Sequence, residues 1–366
     1  MRIGCLQFAP QVGDVDNNLN RADSVLSKAN PDDLDLLVLP ELAFSGYNFK
    51  SLQHISPFLE HSGSGITSLW ARTTALKYNC NVVVGYPEKV DVSDNWPTSP
   101  EYYNSAIVVN EDGETIANYR KTFLYYTDET WALEGQGFFD GPIPGVGNAS
   151  MGICMDLKFE APWHDFEFAF HVLECESNVV ILSMAWMTRE DGRMFSRMPN
   201  EPDLDTLTYW LTRLEPLIRA ENGDEVIVIF CNRTGIEDDA VYAGTSAVVG
   251  IQDGEVKIYG LLGRGEKELL VVDTTNPPYA KLAHRPEPNR PIGGLSVVST
   301  QTIATKQRGT YTNRCEEIAR EAAFFSELVQ RLRGVEACQA IASDSDPTAT
   351  GLFESGQPKP PYSHRA

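Results

Sequence analysis

Residues 34–41 read Leu-Asp-Leu-Leu-Val-Leu-Pro-Glu, an apolar run that ends at a proline and an acid. A short run of this kind, with almost no polar alternation, predicts a β-strand that is buried on both faces. Pro40 closes the strand because it has no backbone N–H to donate, and Glu41 then lies at the carboxyl end. The stretch therefore predicts a sheet that is covered by further layers on both sides.

Similar apolar runs recur along the chain between longer amphipathic stretches. The predicted strands are residues 3–8, 36–39, 81–85, 105–109, 179–183 and 226–230, and the predicted helices are residues 18–29, 65–78 and 163–174. Turn sequences also predict two hairpins, which join 106–109 to 115–119 and 247–251 to 256–260. This alternation predicts an α/β fold with mixed, helix-covered sheets, and residues 269–272 form its last strand.

The character of the sequence changes after Pro277-Pro278. We expect residues 1–300 to form one domain, whose core ends near residue 275. Residues 301–342 are expected to form a helical extension, with helical spacing at 316–333. Residues 343–366 are rich in Ser, Pro and Gly, which predicts a disordered tail.

The chain carries a formal net charge of −21, from 51 acidic and 30 basic residues. Such a field repels phosphate backbones and anionic lipid surfaces, so we expect neither nucleic acid nor a membrane as a partner. The seven cysteines form no C-x-x-C pair and no disulfide framework. This pattern, and an N-terminus that runs into a strand instead of a signal peptide, predict a cytoplasmic protein.

Two more apolar strands end at reactive side chains. Lys121 comes just after the predicted strand 115–119, and Cys154 follows the run 149–153. In open α/β sheets, ligands gather outside the carboxyl ends of the strands. We therefore expect Glu41, Lys121 and Cys154 to face one crevice, although each alone is more often a surface or core residue.

These three residue types together suit nucleophilic chemistry at a carbonyl carbon. A thiol such as Cys154 ionises more easily beside a cation, and Glu41 can accept its proton. Lys121 can stabilise an oxyanion, together with the backbone N–H of Met155. Gly152 leaves room for a tight strand-to-helix turn at the nucleophile.

At these segments the chain resembles the nitrilase superfamily of carbon–nitrogen hydrolases. The matching segments are residues 3–10, 13–18, 39–47, 119–122, 152–156, 182–186, 219–222, 231–235 and 242–246. The resemblance implies a four-layer α-β-β-α sandwich, here with the helical extension and the tail added. It also implies Glu41 as base, Lys121 as oxyanion stabiliser and Cys154 as nucleophile.

The same resemblance implies that no metal or coenzyme is needed. His164 and His171 are seven residues apart, a spacing that does not suit an i, i+4 zinc pair. Many members of the superfamily carry a further glutamate after the lysine, and Glu129 occupies that place. We expect Glu129 to orient Lys121 or the substrate amide; the alternative is a solvated loop acid.

Residues 152–162 and 164–169 resemble, more narrowly, the fungal-type protein N-terminal amidases, although the segment after Asp156 is a few residues shorter here. This resemblance implies hydrolysis of the side-chain carboxamide of N-terminal Asn or Gln to Asp or Glu. Ammonia leaves through a cysteine thioester, and the product feeds N-terminal-residue-dependent degradation. The alternatives are a small-molecule ω-amidase or carbamoylase, and a weakly active relative that binds peptide ends. Either a monomer or a homodimer is expected.

Such a substrate carries an ammonium close to a carboxamide, so its pocket needs acids at one end. The candidate substrate-binding acids are Asp128, Glu129 and Asp156. A structural role in the tight turn at Cys154, the nucleophile elbow, suits Asp156 equally well. The candidate walls of the pocket are Tyr47, Trp131, Met155 and Trp186, although large aromatic residues are more often simply core.

Overall fold

The computed structural model describes residues 1–92, 98–157, 165–220, 223–284 and 295–297. The strands are β1 (Arg2–Gln7), β2 (Leu36–Val38), β3 (Asn81–Val90), β4 (Glu101–Val109), β5 (Thr115–Arg120), β6 (Phe139–Ile143), β7 (Gly147–Ile153), β8 (Val179–Met184), β9 (Val226–Asn232), β10 (Thr234–Glu237), β11 (Ala240–Ala243), β12 (Ala247–Gln252), β13 (Glu255–Leu261), β14 (Glu268–Asp273), β15 (Ala280–His284) and β16 (Leu295–Val297). The α-helices are α1 (Val15–Ala29), α2 (Leu52–Ile55), α3 (Ile66–Tyr78), α4 (Glu167–Glu174), α5 (Gly192–Phe195), α6 (Leu204–Thr212) and α7 (Glu215–Arg219).

Two large sheets organise these elements. The first has six strands in the order β14-β1-β2-β3-β4-β5, and the second has eight in the order β16-β15-β13-β12-β9-β8-β7-β6. Strands β1, β2 and β3 are parallel, as are β7, β8 and β9, whereas the other neighbours within the two sheets are antiparallel. The predicted mixture of parallel and antiparallel pairing is therefore confirmed.

The two sheets pack face to face, with helices on their outer sides. Between the sheets lie apolar side chains such as Val38 of the first sheet, in the same core cluster as Ile153 of the second. Helices α1 and α3 cover the first sheet through residues such as Leu26 and Trp70. Helices α4, α6 and α7 add residues such as Phe168 to the cluster of the second sheet. This confirms the four-layer sandwich, and each large apolar side chain buried in it contributes roughly 1.5–3 kcal/mol.

Several predictions fall outside the described residues. These are the helix at 316–333, the tail at 343–366, the boundary of the domain at 300, and the segment 158–164 after the elbow. Strands β15 and β16 extend the eight-stranded sheet beyond residue 275. Among the described residues, no helix combines the length and the apolar character that a membrane span needs.

The strand directions bring the candidate residues to one end of the sandwich. Strand β4 is antiparallel to both β3 and β5, so β5 runs in the same direction as β2 and β3. The segments that follow β2 and β5, which carry Glu41 and Lys121, therefore leave the first sheet at the same edge. Cys154 follows β7 in the second sheet.

Candidate active site

Glu41 follows β2 and is completely buried. Its Oε1 accepts hydrogen bonds from Lys121 Nζ at 2.6 Å and from Asn104 Nδ2 at 2.7 Å. Its Oε2 accepts one from the backbone N–H of Ala185 at 2.9 Å. Burial raises the pKa of the Glu41 carboxyl, although the charge of Lys121 opposes this change. Both oxygens are thus held in place, and the carboxyl is poised to gain and lose a proton.

Lys121 comes just after β5 and is also completely buried. Its Nζ donates to Glu41 Oε1 and to Asp128 Oδ2, each at 2.6 Å, and lies 5.7 Å from the ring centroid of Tyr47. Burial alone lowers the pKa of a lysine, but the charges of Asp128 and Glu41 outweigh it and raise the pKa of Lys121. The ammonium therefore stays charged and lies between the two carboxylates.

Asp128 is the second carboxylate of this cluster. It is completely buried in a 3₁₀ turn, Asp128–Thr130. Besides Lys121, it accepts hydrogen bonds from Asn104 Nδ2 at 3.0 Å, the Tyr47 hydroxyl at 3.2 Å and the Tyr125 backbone N–H at 3.0 Å. These donors occupy its oxygens, and Asp128 holds Lys121 in place; a contact of Asp128 with substrate stays a prediction.

The neighbouring acid, Glu129, is exposed to solvent. We predicted that Glu129 orients Lys121 or the substrate amide; Asp128 is the acid that contacts Lys121, and a contact of Glu129 with the substrate amide stays a prediction. Successive residues in a 3₁₀ turn point about 120° apart, so only one of the two acids can face the buried lysine. The prediction was therefore one residue away from the carboxylate that contacts Lys121.

Cys154 is the first residue after β7 and is 7% exposed. Its φ of 45° lies in the left-handed region, which a side chain adopts at some energetic cost. A Cβ on Gly152 would lie 2.9 Å from a Leu182 side-chain atom and 3.0 Å from one of Phe168, so a larger residue there has to displace these side chains. The predicted elbow is thus a strained turn behind which the chain packs closely.

The thiol lies beside the Glu41–Lys121 pair. The backbone N–H of Ala185 donates to Glu41 Oε2 and also lowers the pKa of the Cys154 thiol. Burial and then the charge of Glu41 raise the pKa of Cys154 well above its ordinary value, and Lys121 only partly opposes them. Lys121 lowers the pKa of the thiol, as expected, but burial and the charge of Glu41 together outweigh it.

Asp156 lies two residues beyond the nucleophile and is completely buried. It accepts hydrogen bonds from the Tyr119 hydroxyl at 2.6 Å and from the backbone N–H groups of Ile153, Thr122 and Phe123 at 2.7, 3.0 and 2.8 Å. Burial raises its pKa to about 6. Its hydrogen bonds connect the elbow to the segment after Lys121, which favours the structural role; the substrate-binding role stays a prediction.

The candidate pocket walls differ in exposure. Tyr47 and Trp131 are buried in a common apolar cluster, and Trp131 Nε1 has no hydrogen-bond partner among the described residues. Met155 and Trp186 are partly exposed, and the Trp186 ring packs on Tyr209 with 5.4 Å between centroids. Only Met155 and Trp186 of the four thus keep exposed surface next to the reactive residues.

The sequence analysis missed two groups that hold Glu41: the Asn104 side chain and the Ala185 backbone N–H. Asn104 had a signal, because it is a polar residue in a strand whose following residues are almost all apolar. Ala185 had none, because any residue except proline supplies a backbone N–H.

Comparisons with known proteins indicate the family of the chain. The carbon–nitrogen hydrolase family model matches residues 2–277. The protein N-terminal amidase of Schizosaccharomyces pombe is 35% identical over 290 residues, which cover 74% of this chain and 98% of that relative. The 2-oxoglutaramate amidase of Bacillus subtilis is 28% identical over 248 residues, which cover 68% of this chain and 82% of that relative.

Solved structures agree as well. An N-terminal amidase with an Asn-Glu-Ala peptide has a TM-score of 0.65 and 22% identity, and the match covers 74% of this chain and 96% of that one. A structure with a Gln-Gly peptide gives the same values. At this identity the likeness shows the fold. The family match over most of the chain shows more: the chain belongs to the carbon–nitrogen hydrolase family.

Proposed function

We propose that this chain hydrolyses the side-chain carboxamide of an N-terminal Asn or Gln residue in proteins or peptides, and releases ammonia. The observation that carries the chemistry is the buried cluster of Glu41, Lys121 and Asp128 beside the Cys154 thiol. The substrate class is supported by 35% identity to a protein N-terminal amidase over 98% of that relative's length. The fold is also shared with solved N-terminal amidases.

The first half of the reaction forms a thioester. The Cys154 sulfur attacks the carboxamide carbon while its proton passes to Glu41, because the resting thiol is protonated. Lys121 and the backbone N–H of Met155 stabilise the oxyanion. The C–N bond then breaks, and Glu41 returns the proton to the departing ammonia.

The second half hydrolyses the thioester. A water molecule attacks the acyl carbon and its proton passes to Glu41. Glu41 returns this proton to the sulfur as the C–S bond breaks, which releases the thiol and a carboxylic acid that ionises in solvent. Asn104 and the Ala185 N–H hold the Glu41 carboxyl through both halves. Asp128 keeps Lys121 in place while the charge of Glu41 changes.

The substrate ammonium needs an acid, and Asp128 and Asp156 are already fully engaged. The Asn48 side-chain amide donates to Asp239 Oδ1 at 3.5 Å, and the preceding residue, Tyr47, donates its hydroxyl to Asp128, so Asp239 contacts a segment that borders the Lys121 cluster. The Asp239 side chain is 89% exposed and pairs with Lys50 at 3.6 Å. We infer that Asp239 attracts the α-ammonium at the solvent side of the site.

Asp239→Asn is therefore expected to raise KM for Asn-started peptides up to about fivefold with kcat unchanged, because an exposed ion pair is weak. The neighbouring exposed acid, Asp238, provides the matched control as Asp238→Asn. Steady-state ammonia release measures both variants. Equal KM values for the two variants would remove Asp239 from the substrate site.

A thiol nucleophile must stay reduced, and the five described cysteines are all free. We therefore propose a reducing compartment, the cytoplasm, as the location.

The decisive experiment measures ammonia release from peptides that start with Asn or Gln and have a blocked carboxyl end. The controls are the same peptides with an acetylated N-terminus, free glutamine, and 2-oxoglutaramate. We expect turnover of the peptides with a free N-terminus, and none by Cys154→Ser or Cys154→Ala with an unchanged circular dichroism spectrum. Ammonia release by folded Cys154→Ala would contradict the mechanism.

The same assay distinguishes the second candidate, a small-molecule amidase. The 28% identity to the 2-oxoglutaramate amidase favours that candidate over the carbamoylase alternative. Turnover of 2-oxoglutaramate or free glutamine, without turnover of the blocked peptides, would establish it in place of the proposed function.

A further inference from the structure

A second group of reactive side chains lies at the edge of the eight-stranded sheet, outside the site described above. It consists of Asp140 on the edge strand β6, His171 on helix α4, and Cys175, which caps the carboxyl end of α4. One ligand atom from each residue lies within 4.8 Å of the other two. Asp140 is exposed and the other two are partly exposed, so ions in solution can reach the cluster.

His171 and Cys175 are four residues apart, which places them on the same face of the helical turn. The Cys175 Sγ lies 3.7 Å from His171 Nδ1 and 3.9 Å from Nε2. Nitrogen and sulfur ligands on a tetrahedral Zn²⁺ are about 3.6 Å apart, given bond lengths near 2.05 and 2.3 Å. The two donors are therefore already at a chelating distance.

The surroundings orient the imidazole. His171 Nε2 lies 3.2 Å from the carbonyl oxygen of Phe139, so a proton on Nε2 is donated to that oxygen. The lone pair of Nδ1 is then free, and a backbone carbonyl on the other ring nitrogen is a common arrangement around metal-binding histidines. The ring also packs against Phe138 and Phe168, with centroids 5.4 and 6.5 Å away.

We propose that Asp140, His171 and Cys175 form a binding site for a divalent transition-metal ion, with Zn²⁺ as the preferred ion. One sulfur, one nitrogen and one oxygen donor suit Zn²⁺, whereas Mg²⁺ and Ca²⁺ require oxygen donors throughout. The Cys175 thiol proton is released to solvent on binding, and a water molecule completes the four-coordinate shell.

Metal at this position joins β6 to α4 behind the nucleophile elbow. Strand β6 pairs with β7, which leads directly into Cys154. Helix α4 contributes Phe168, against which Gly152 of β7 packs. The bound ion therefore stabilises the layer that supports the elbow, without contacting the reacting groups.

The test is a Co²⁺ titration of the full-length Cys154→Ser variant, followed by absorption spectroscopy. The Cys154 thiol is removed first so that it cannot bind the metal. A thiolate–Co²⁺ charge-transfer band that saturates at one equivalent, and that Zn²⁺ displaces, is expected. Adding Cys175→Ser should abolish the band, and adding His171→Gln should weaken binding about tenfold or more.

The matched control adds His61→Gln, which removes an exposed histidine away from the cluster and should leave the titration unchanged. Zn²⁺ should also raise the melting temperature of the Cys154→Ser variant, but not that of the variant that lacks Cys175 as well. Circular dichroism verifies that each variant is folded. Absence of the band in the Cys154→Ser protein, or its persistence without Cys175, would overturn the proposal.

Discussion

At the scale of single residues, the site depends on how three buried charges are arranged. Lys121 lies between Glu41 and Asp128, with 2.6 Å to an oxygen of each. One positive and two negative charges leave the cluster with an excess negative charge when all three are ionised. Burial, followed by the charge of Glu41, raises the pKa of the Cys154 thiol, and the excess negative charge also favours a cationic substrate over an anionic one.

Asp128→Asn should separate the roles of the two adjacent acids. The substitution removes one of the two charges that hold Lys121, so we expect kcat to fall about 10²-fold, as it does when an oxyanion donor is lost. Glu129→Gln is the matched control, and an exposed substitution of this kind should change kcat by about twofold at most. A larger loss of kcat with Glu129→Gln than with Asp128→Asn would mean that Glu129, and not Asp128, orients Lys121.

The protonation state of Cys154 gives a second prediction at this scale. Burial and the charge of Glu41 raise the pKa of the thiol well above its ordinary value of 9.0. The thiolate absorbance of the wild type minus that of Cys154→Ser should therefore be absent at neutral pH and appear only above pH 9. A full thiolate signal at neutral pH would indicate a resting Cys154–Lys121 ion pair instead.

At the scale of the elements, close backbone packing sets the position of Glu41. Gly85 lies in β3, next to β2 in the sheet. A Cβ there would lie 2.7 Å from the Leu42 nitrogen and 2.9 Å from the Glu41 Cα. Neither atom belongs to a flexible side chain, so any larger residue has to displace the segment that carries Glu41.

Gly85→Ala should thus reduce activity without removing any reacting group. A displacement near 1 Å costs about 10²-fold in rate, so we expect a loss of this size in kcat. Gly223→Ala is the control, because a Cβ on Gly223 meets no atom within 4 Å. A folded Gly85→Ala protein with wild-type kcat would show that the strand tolerates the shift.

Element positions were largely predictable, because buried strands have a distinct pattern. The predicted strands 36–39, 179–183 and 226–230 correspond to β2, β8 and β9 within two residues. The predicted helix at 18–29 begins earlier, at Val15, because its first turn is polar and lacks the apolar spacing. Strand β6 was missed, because Gly141 and Pro142 within it are typical of turns.

At the scale of the whole molecule, the site is assembled across the two sheets. Glu41 and Lys121 belong to the first sheet and Cys154 to the second, so the packing between the sheets sets the distance between base and nucleophile. One hydrogen bond across this interface joins the Ser183 hydroxyl of β8 to the Leu39 carbonyl oxygen at 2.9 Å. The backbone N–H of Ala185, which donates to Glu41, comes two residues after Ser183.

Ser183→Ala should therefore lower both stability and kcat. Loss of a buried hydrogen bond reduces the free energy of unfolding by about 1–3 kcal/mol. Ser150→Ala is the control, because the Ser150 hydroxyl contacts Ser177 at 2.7 Å, away from the interface between the sheets. Denaturant unfolding and ammonia release measure both effects. Equal kcat values for the two variants would mean that this bond does not align the site.

The sequence by itself determined the alternating α/β architecture and singled out Glu41, Lys121 and Cys154 as the candidate reacting residues. It could do so because strand burial and strand ends are local properties of neighbouring residues. The tertiary structure alone decided that Asp128 and not Glu129 holds Lys121. It also decided the protonation of the Cys154 thiol, because charge and burial depend on groups that are distant along the chain and meet only after folding.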